Sequence, residues 1–396
     1  MARERTIGQT TGRVSGGVDL GGATEEALKE EAMEEIRGPR LPAMRGRGTS
    51  VNPPNRFESL AFEPDLDALD WEERQSLAER RVPTQCYLDD SKEALARNDS
   101  PDVPFLYSVN PYRGCEHGCS YCYARPTHEF LGMSCGLDFE SKIVVKRDAA
   151  RLLAKKFRSP HWEPQVVALS GNTDCYQPVE KHFGITRQLL EVFLDFGNPV
   201  GIITKSALVL RDLDLLRRLA EKSLVQVTLS VTSLDPALAR AMEPRAATPA
   251  KRLEAIQRLS EAGIPTTVNV APIVPGLNDH EIPAILAACA ERGALGAAYI
   301  MLRLPHGVKE LFLDWLETHF PERRKKVIRA IQEVRGGGLT DSRFGSRMSG
   351  EGVRAEAIER LFHIHRERVG LGTKAVALST AHFRREGSAQ QQLALE

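Results

Sequence analysis

The sequence lacks the features that would direct it to a membrane or out of the cell. No window of the 396 residues approaches the roughly 18 consecutive apolar residues of a membrane-spanning helix. The first residues contain no apolar stretch of the signal-peptide type. The seven cysteines are an odd number and show no disulfide framework. We therefore expect a cytoplasmic protein with reduced thiols and no membrane partner.

The sequence also lacks net charge and is poor in aromatic residues. Its 53 Lys and Arg are balanced by 53 Asp and Glu, and only 6% of residues are aromatic. No overall field draws nucleic acid to it, and few rings are available for base stacking. Nucleic acid remains a candidate partner through a basic run at 323–326 or through Arg343 and Arg347 beside Phe344. Such a run is more commonly a solvated helix face.

What the sequence does contain is an ordinary apolar content and a repeating strand–helix order. Hydrophobic residues make up 42% of the chain, enough for a globular core. Apolar, β-branched runs that indicate buried parallel strands are separated by segments with helical periodicity. We predict six strands, near 105–110, 165–170, 200–205, 224–231, 266–274 and 297–304. Such strands form either an open sheet or a partial barrel. In both folds, ligands bind at the carboxyl ends of the strands.

The composition divides the chain into four parts. Residues 1–57, rich in Gly, Arg and Pro, are predicted to form a disordered or extended arm. Residues 58–103 precede the repeating part, which occupies 104–310. Residues 311–396 are predicted to form a helical extension.

Three cysteines stand close together directly after the first predicted strand. Cys115, Cys119 and Cys122 follow a Cys-x3-Cys-x2-Cys spacing, and closely packed thiolates select iron–sulfur clusters, zinc or copper(I). Structural zinc usually has four protein ligands, and only His117 or His128 could complete such a set. Three cysteines on one loop hold three corners of a 4Fe–4S cube and leave one iron open to another ligand. An open iron indicates chemistry rather than storage.

The cysteine passage, NPYRGCEHGCSYCYAR, resembles the radical S-adenosylmethionine (SAM) superfamily, in which an aromatic residue precedes the third cysteine. The flanking residues, with GNTDCYQPVE, ITKS and APIVPGLND further on, look like the branch related to spore photoproduct lyase. The resemblance covers roughly residues 100–305. It implies an α/β fold, a partial (β/α)6 barrel with the cluster at its mouth. It also implies a 4Fe–4S cluster, SAM, and a low-potential electron donor such as flavodoxin or ferredoxin.

The resemblance further implies contacts with SAM. Tyr121 would lie beside the adenine, Lys205 would pair with the SAM carboxylate, and Ser230 would reach the ribose. Where the superfamily usually has Gly-Gly-Glu, this chain has GNTD. Asp174 is equally well explained as a helix N-cap, and Lys205 as a solvated charge at a strand end. The implied contacts are Tyr121, Asn172, Thr173, Asp174, Lys205, Ser230 and Ala271.

The sequence leaves the substrate and the reaction open. The implied chemistry is reductive cleavage of SAM to a 5′-deoxyadenosyl radical, which would abstract hydrogen from an unknown substrate. One alternative is a DNA-lesion lyase, in which Cys175 would return a hydrogen atom, although a structural role for this thiol is favoured. The other is a non-catalytic iron–sulfur or zinc module.

Overall fold

The fold comes from a computed structural model that describes residues 44, 46–58, 82–372 and 376–387. The strands within these residues are β1 Gln85–Leu88, β2 Leu95–Arg97, β3 Tyr107–Val109, β4 Tyr112–Arg113, β5 Lys142–Val145, β6 Val167–Leu169, β7 Val200–Thr204, β8 Val225–Ser230, β9 Thr266–Ile273 and β10 Gly296–Met301. The α-helices are α1 Leu137–Ser141, α2 Ala149–Arg158, α3 Glu180–Phe183, α4 Ile185–Phe196, α5 Leu213–Ala220, α6 Pro236–Met242, α7 Pro249–Glu261, α8 Ile282–Glu291, α9 Val308–His319, α10 Arg324–Glu333, α11 Ser346–Ser349 and α12 Val353–Arg368.

The main sheet confirms the six predicted parallel strands. Its order in the described residues is β10-β9-β8-β7-β6-β3-β2, so consecutive βα units are neighbours. Every pair from β3 to β10 is parallel, and β2 adds an antiparallel edge to β3. All three residues of β6 are buried, as expected for a strand of a parallel sheet that is covered on both faces. The carboxyl ends of these strands therefore lie along one rim.

The helices begin and end where local chemistry predicts. In α4 the apolar stripe, which includes Leu189 and Phe193, is buried. That helix ends at Gly197 with φ 65°, a left-handed conformation that glycine adopts without strain. Thr248 has the extended backbone of an N-cap, and Pro249 is the first residue of α7. These boundaries follow the predicted ones.

A second, smaller sheet was not predicted. It has the order β1-β5-β4, with β4 antiparallel and β1 parallel to β5. All four residues of β1 are exposed, so the strand has no apolar alternation for a sequence pattern to detect. The loop that contains the three cysteines follows β4 directly, so this sheet fixes the position at which the loop begins.

The predicted domain boundary between residues 310 and 311 falls inside α9. The apolar face of this helix, including Phe312 and Trp315, packs in a core cluster that also contains Cys119 and Tyr121. The indole nitrogen of Trp315 donates to the Ala241 carbonyl at 2.8 Å. The first helix of the C-terminal part is thus packed against the region that holds the cysteines.

Two segments without helix or strand pack against the rest of the described chain. Residues 1–43, most of the predicted N-terminal arm, lie outside the described residues, but 46–57 pack closely, with Arg47, Thr49 and Asn55 buried. In the later segment, Ser379 N donates to the Ser223 carbonyl and Arg384 N donates to the Phe196 carbonyl, both at 2.8 Å. No helix among the described residues has the length and apolarity to cross a membrane.

Candidate cofactor site at the carboxyl ends of the strands

The three cysteines lie together on a loop that we call the cysteine loop, residues 114–124. Cys115 and Cys119 are buried in two separate apolar clusters, and the half-buried Cys122 packs against both clusters. Turn hydrogen bonds run from Gly118 N to the Cys115 carbonyl (3.5 Å) and from Cys122 N to the Cys119 carbonyl (3.3 Å). The loop therefore presents three thiols from one short stretch of chain.

The main chain of the cysteine loop is held from several sides. The Gln177 side chain accepts a hydrogen bond from Glu116 N (2.9 Å) and donates to the Gly114 carbonyl (3.0 Å). Cys115 N donates to the Phe139 carbonyl, and Ser120 N donates to the Met242 carbonyl. Because these bonds use backbone atoms of the loop, its thiols are left for other ligands.

The outer face of the loop rests on a buried ion pair. The Arg125 guanidinium donates to the Cys119 carbonyl (2.9 Å) and to Glu140 Oε1 (2.5 Å), and both side chains are fully buried. The other oxygen of Glu140 accepts a hydrogen bond from Gly48 N at 2.8 Å. The described part of the N-terminal segment is thereby joined to the cysteine loop.

Two thiols of the loop, those of Cys115 and Cys119, are poorly suited to being charged without a cation. Burial raises the pKa of Cys115 well above its usual range, and Asp174 and the neighbouring cysteines raise it further. Burial and the carboxylate of Glu243 likewise raise the pKa of Cys119, although Lys205 opposes them. Thiolates in such surroundings are stabilised by a bound metal, which supplies the missing positive charge.

The donor set fits a cluster better than a single ion. No group of three or more His, Cys, Asp or Glu side chains in the described ranges converges as the ligands of one metal ion. In a cluster each thiolate binds a different iron, so the three sulfurs need not converge on one point. His117 Nδ1 lies 3.4 Å from Asp174 Oδ2, and His128 Nε2 is bonded to the Lys142 carbonyl (2.9 Å). Neither histidine completes a zinc site with the cysteines.

Asp174 connects two strand ends with the cysteine loop. Its Oδ1 accepts hydrogen bonds from Thr204 Oγ1 (2.7 Å) and Tyr176 N (2.9 Å). Its Oδ2 accepts one from Lys205 N (2.8 Å) and faces His117. The bond to Tyr176 N is a local turn of the kind expected from an N-cap residue, but most of the contacts are with more distant parts of the chain.

Lys205, at the end of β7, lies between the cysteine loop and a buried carboxylate. Burial lowers the pKa of Lys205, but the negative charges of Cys119 and Glu243 more than offset this, and the net pKa is raised. Its ammonium nitrogen is 5.9 Å from the centre of the Tyr121 ring. Within the described part of the chain this ammonium has no hydrogen-bonded oxygen. It is a charged donor beside the cysteines to which no oxygen of the described residues is bonded.

Comparison with known proteins agrees with this geometry. Residues 109–289 match the family model of the radical SAM superfamily. An uncharacterised protein of Methanocaldococcus jannaschii is 34% identical over 216 residues, which cover 54% of this chain and 77% of that protein. The chain belongs to the radical SAM superfamily.

A second sequence relative and a solved structure are also similar to this chain. An uncharacterised protein of Mycobacterium tuberculosis is 38% identical over 222 residues, 56% of this chain and 65% of that protein. The matched region is thus just under two thirds of the mycobacterial relative. A spore photoproduct lyase double mutant with bound AdoMet (SAM) and dinucleoside spore photoproduct has a TM-score of 0.52 at 16% identity, covering 74% of this chain and 86% of that chain. This likeness shows the radical SAM barrel fold.

Two predicted SAM contacts of this radical SAM protein take part in one buried network. The Ser230 carbonyl accepts a hydrogen bond from Arg252 Nη1 (3.0 Å), and the Ala271 carbonyl accepts one from Thr232 Oγ1 (3.1 Å). Thr232 also donates to Glu243 Oε1 at 2.6 Å. The structure places Ser230 at the end of β8 and Ala271 two residues before the end of β9, and both carbonyls are already bonded to the protein.

Asn172 and Thr173 follow β6 and are fixed through their backbone. The side-chain oxygen of Asn110 accepts hydrogen bonds from the main-chain nitrogens of Asn172 (2.9 Å) and Thr173 (3.4 Å). The Thr173 hydroxyl donates to the Tyr112 carbonyl at 2.7 Å, whereas the Asn172 side chain is exposed. Of this pair, Asn172 is the one with a side chain open to a ligand.

Cys175 lies in the core of the barrel and not in its mouth. Its side chain is fully buried in the main hydrophobic cluster. Its carbonyl accepts a hydrogen bond from Thr186 Oγ1 (2.6 Å) and its nitrogen donates to Ser170 Oγ (2.9 Å). This position supports the structural role that the sequence favoured over hydrogen donation.

Several residues that organise the site were not singled out by the sequence. Gln177 anchors the cysteine loop, Asn110 holds the turn after β6, and Glu243 joins Tyr121 to Arg252 through hydrogen bonds. Gln177 lies within the GNTDCYQPVE stretch, so its place after β6 was a usable signal. Glu243 directly follows α6 and Arg252 lies within α7, in stretches that carried no such signal.

Proposed function

We propose that this protein is an enzyme that holds a site-differentiated 4Fe–4S cluster through Cys115, Cys119 and Cys122 and uses it to cleave SAM reductively. The observation that carries the proposal is the cysteine loop: three thiols on one loop, at the carboxyl ends of six parallel strands, beside an ammonium that has no hydrogen-bonded oxygen in the described part of the chain. When bound, such a cluster supplies the electron that splits the sulfonium of SAM into methionine and a 5′-deoxyadenosyl radical.

The chain's own residues bind and orient SAM in this proposal. The Lys205 ammonium pairs with the SAM carboxylate, because it is the charged donor at the strand ends that no protein oxygen occupies in the described residues. Tyr121 lies within the apolar cluster formed with α9, where a ring beside the adenine is shielded from water. Asn172 contributes its exposed amide. Ser230 and Ala271 line the ribose and adenine side.

Asp174 acts as a positioning residue rather than a ligand. Both of its oxygens accept hydrogen bonds from the protein, and these bonds fix the backbone of Lys205 and the side chain of Thr204. Because the SAM-facing lysine extends from that backbone, the direction of its side chain depends on Asp174. Thr173 has the same kind of role, since its hydroxyl is bonded to the Tyr112 carbonyl.

A low-potential flavodoxin or ferredoxin is the expected class of reductant. The DNA-lesion lyase alternative is weakened by the buried position of Cys175, which has no exposed surface from which to return a hydrogen atom.

The test is formation of 5′-deoxyadenosine. The protein is purified without oxygen, its cluster is reconstituted, and SAM and a reductant are added, with product detected by mass spectrometry. The triple substitution Cys115→Ala, Cys119→Ala, Cys122→Ala should abolish both the cluster absorbance and the product. Cys86→Ala is the matched control, since Cys86 is an exposed cysteine on β1. A loaded cluster that binds no SAM and yields no product refutes the enzymatic proposal and favours the metal-binding module.

A further inference from the structure

A buried carboxylate, Glu243, lies near two cations but is bonded to only one of them. Its Oε2 accepts a hydrogen bond from Arg252 Nη2, and its Oε1 accepts bonds from the Tyr121 hydroxyl and from Thr232 Oγ1 (2.6 Å). Glu243 and Arg252 are each only 2% exposed. The second cation is Lys205, whose charge acts on Glu243 without a hydrogen bond.

Arg252 is held in place independently of Glu243. Its Nε donates to the Ala247 carbonyl (2.8 Å) and its Nη1 donates to the Ser230 carbonyl (3.0 Å). The planar guanidinium is thereby fixed in one orientation with one nitrogen directed at the carboxylate. Lys205 differs, because its flexible side chain ends in an ammonium that has no oxygen partner in the described residues.

Both cations could bind the same carboxylate, but only Arg252 is bonded to it. A buried carboxylate is destabilised unless a charged donor satisfies it. If Arg252 lost its charge, Lys205 would be the remaining cation whose charge acts strongly on Glu243. Its side chain could then turn to Glu243 and away from the strand ends.

We propose that Arg252 is a positioning residue: by occupying Glu243, it keeps the Lys205 ammonium free to bind the carboxylate of SAM. The inference rests on the proposed function, in which Lys205 is the carboxylate-binding group. It assigns to Arg252 and Glu243 a role that neither performs by touching SAM. It also explains why the charged Arg252 is buried close to Lys205, which already supplies a cation for SAM.

The test measures binding of SAM and requires no turnover. Full-length protein with a reconstituted, unreduced cluster is equilibrated without oxygen with radiolabelled SAM, and Kd is determined by dialysis. Arg252→Gln should weaken SAM binding about tenfold, the scale of one charge-assisted hydrogen bond. The double variant Arg252→Gln, Glu243→Gln removes the competing carboxylate and should return Kd to within about threefold of wild type. Arg252→Lys, which keeps a cation beside Glu243, should also bind SAM within about threefold.

The affinities of these variants distinguish a positioning role for Arg252 from a purely structural one. If the double variant binds SAM as weakly as Arg252→Gln alone, Arg252 has only a structural role and the inference is wrong. If Lys205→Gln binds SAM as tightly as wild type, the role of Lys205 in the proposed function is wrong. Weak binding by Lys205→Gln together with normal binding by Arg252→Gln overturns the inference and leaves the proposed function intact.

Folding of each variant is checked by thermal unfolding of the apoprotein, because Arg252→Gln leaves a buried charge without its partner. If that variant does not accumulate as folded protein, Glu243→Gln and the double variant decide. Both lack the competing carboxylate, and both should bind SAM within about threefold of wild type. A loss of affinity in either one overturns the inference.

Discussion

Gly48 lies directly against Gly118 of the cysteine loop. A Cβ atom built on Gly48 would stand 1.6 Å from the Gly118 carbonyl oxygen, closer than any real contact. Two segments that are 70 positions apart in the printed sequence therefore meet backbone to backbone. The contact is closed by the hydrogen bond from Gly48 N to Glu140.

The first prediction concerns this contact. Gly48→Ala should displace the N-terminal segment from the cysteine loop and lower the free energy of unfolding by about 2 kcal/mol or more, because the overlap is with backbone atoms. The reconstituted variant should also lose its cluster absorbance faster in air. Gly338→Ala is the control, since a Cβ there meets only ordinary contacts of 3.6 Å or more. Equal stability of the two variants in urea would contradict the structure.

The second prediction concerns the ion pair beneath the loop. Arg125→Met leaves the Glu140 carboxylate buried without its cation, and we expect a loss of about 3–5 kcal/mol in the free energy of unfolding. Adding Glu140→Gln should recover part of that loss, because the second substitution removes the unpaired charge. Urea denaturation of the two apoproteins measures both. A double variant less stable than Arg125→Met would show that the pair is not coupled in this way.

The third prediction is a pH dependence. Burial lowers the pKa of His128 to about 4, whereas an unfolded histidine titrates near 6.5. Because the folded pKa is depressed, this residue contributes stability that is present above about pH 6.5 and is lost as the pH falls toward 4. His128→Gln should therefore reduce the drop in unfolding free energy between about pH 7 and about pH 4.5 by about 2 kcal/mol. An unchanged difference between these two pH values would show that His128 is not buried in its neutral form.

The fourth prediction concerns the C-terminal segment 376–387. Phe383 packs against the main core, with its ring 6.2 Å from that of Phe157. Phe383→Ala should lower the free energy of unfolding by about 2 kcal/mol, less than for a fully buried ring. Phe344→Ala is the matched control, because that ring is 60% exposed and its removal should change stability by less than about 0.5 kcal/mol. Thermal unfolding of the two variants tests the difference.

The fifth prediction concerns the thiol that the sequence offered as a hydrogen donor. Cys175→Ala removes a fully buried sulfur from the core and should destabilise the protein by about 1 kcal/mol. The yield of 5′-deoxyadenosine per reconstituted cluster should stay within about twofold of wild type. If the variant folds and loads its cluster but makes much less 5′-deoxyadenosine, Cys175 takes part in the reaction and its purely structural role is wrong.

Sequence patterns that act over a few residues predicted much of this protein. The spacing of Cys115, Cys119 and Cys122 predicts the cluster ligands, because a loop of that length can present three thiols together. Strand and helix positions followed from apolar runs and from caps such as Thr248 and Gly197, since burial and backbone conformation are decided locally. The small exposed strand β1 was missed, because it has no apolar alternation.

Tertiary structure decided which side chains share an environment. Tyr121 and Glu243 are 122 positions apart, and Asp174 reaches both His117 and Lys205. No periodicity links such residues, because their contact depends on strands lying side by side and on how the following loops turn over them. The sequence by itself determined the cluster motif and the order of the βα units. Only the fold decided that both oxygens of Asp174 would accept hydrogen bonds from the protein and that Cys175 would be buried. It also decided that the Lys205 ammonium would have no oxygen partner among the residues that the structure describes.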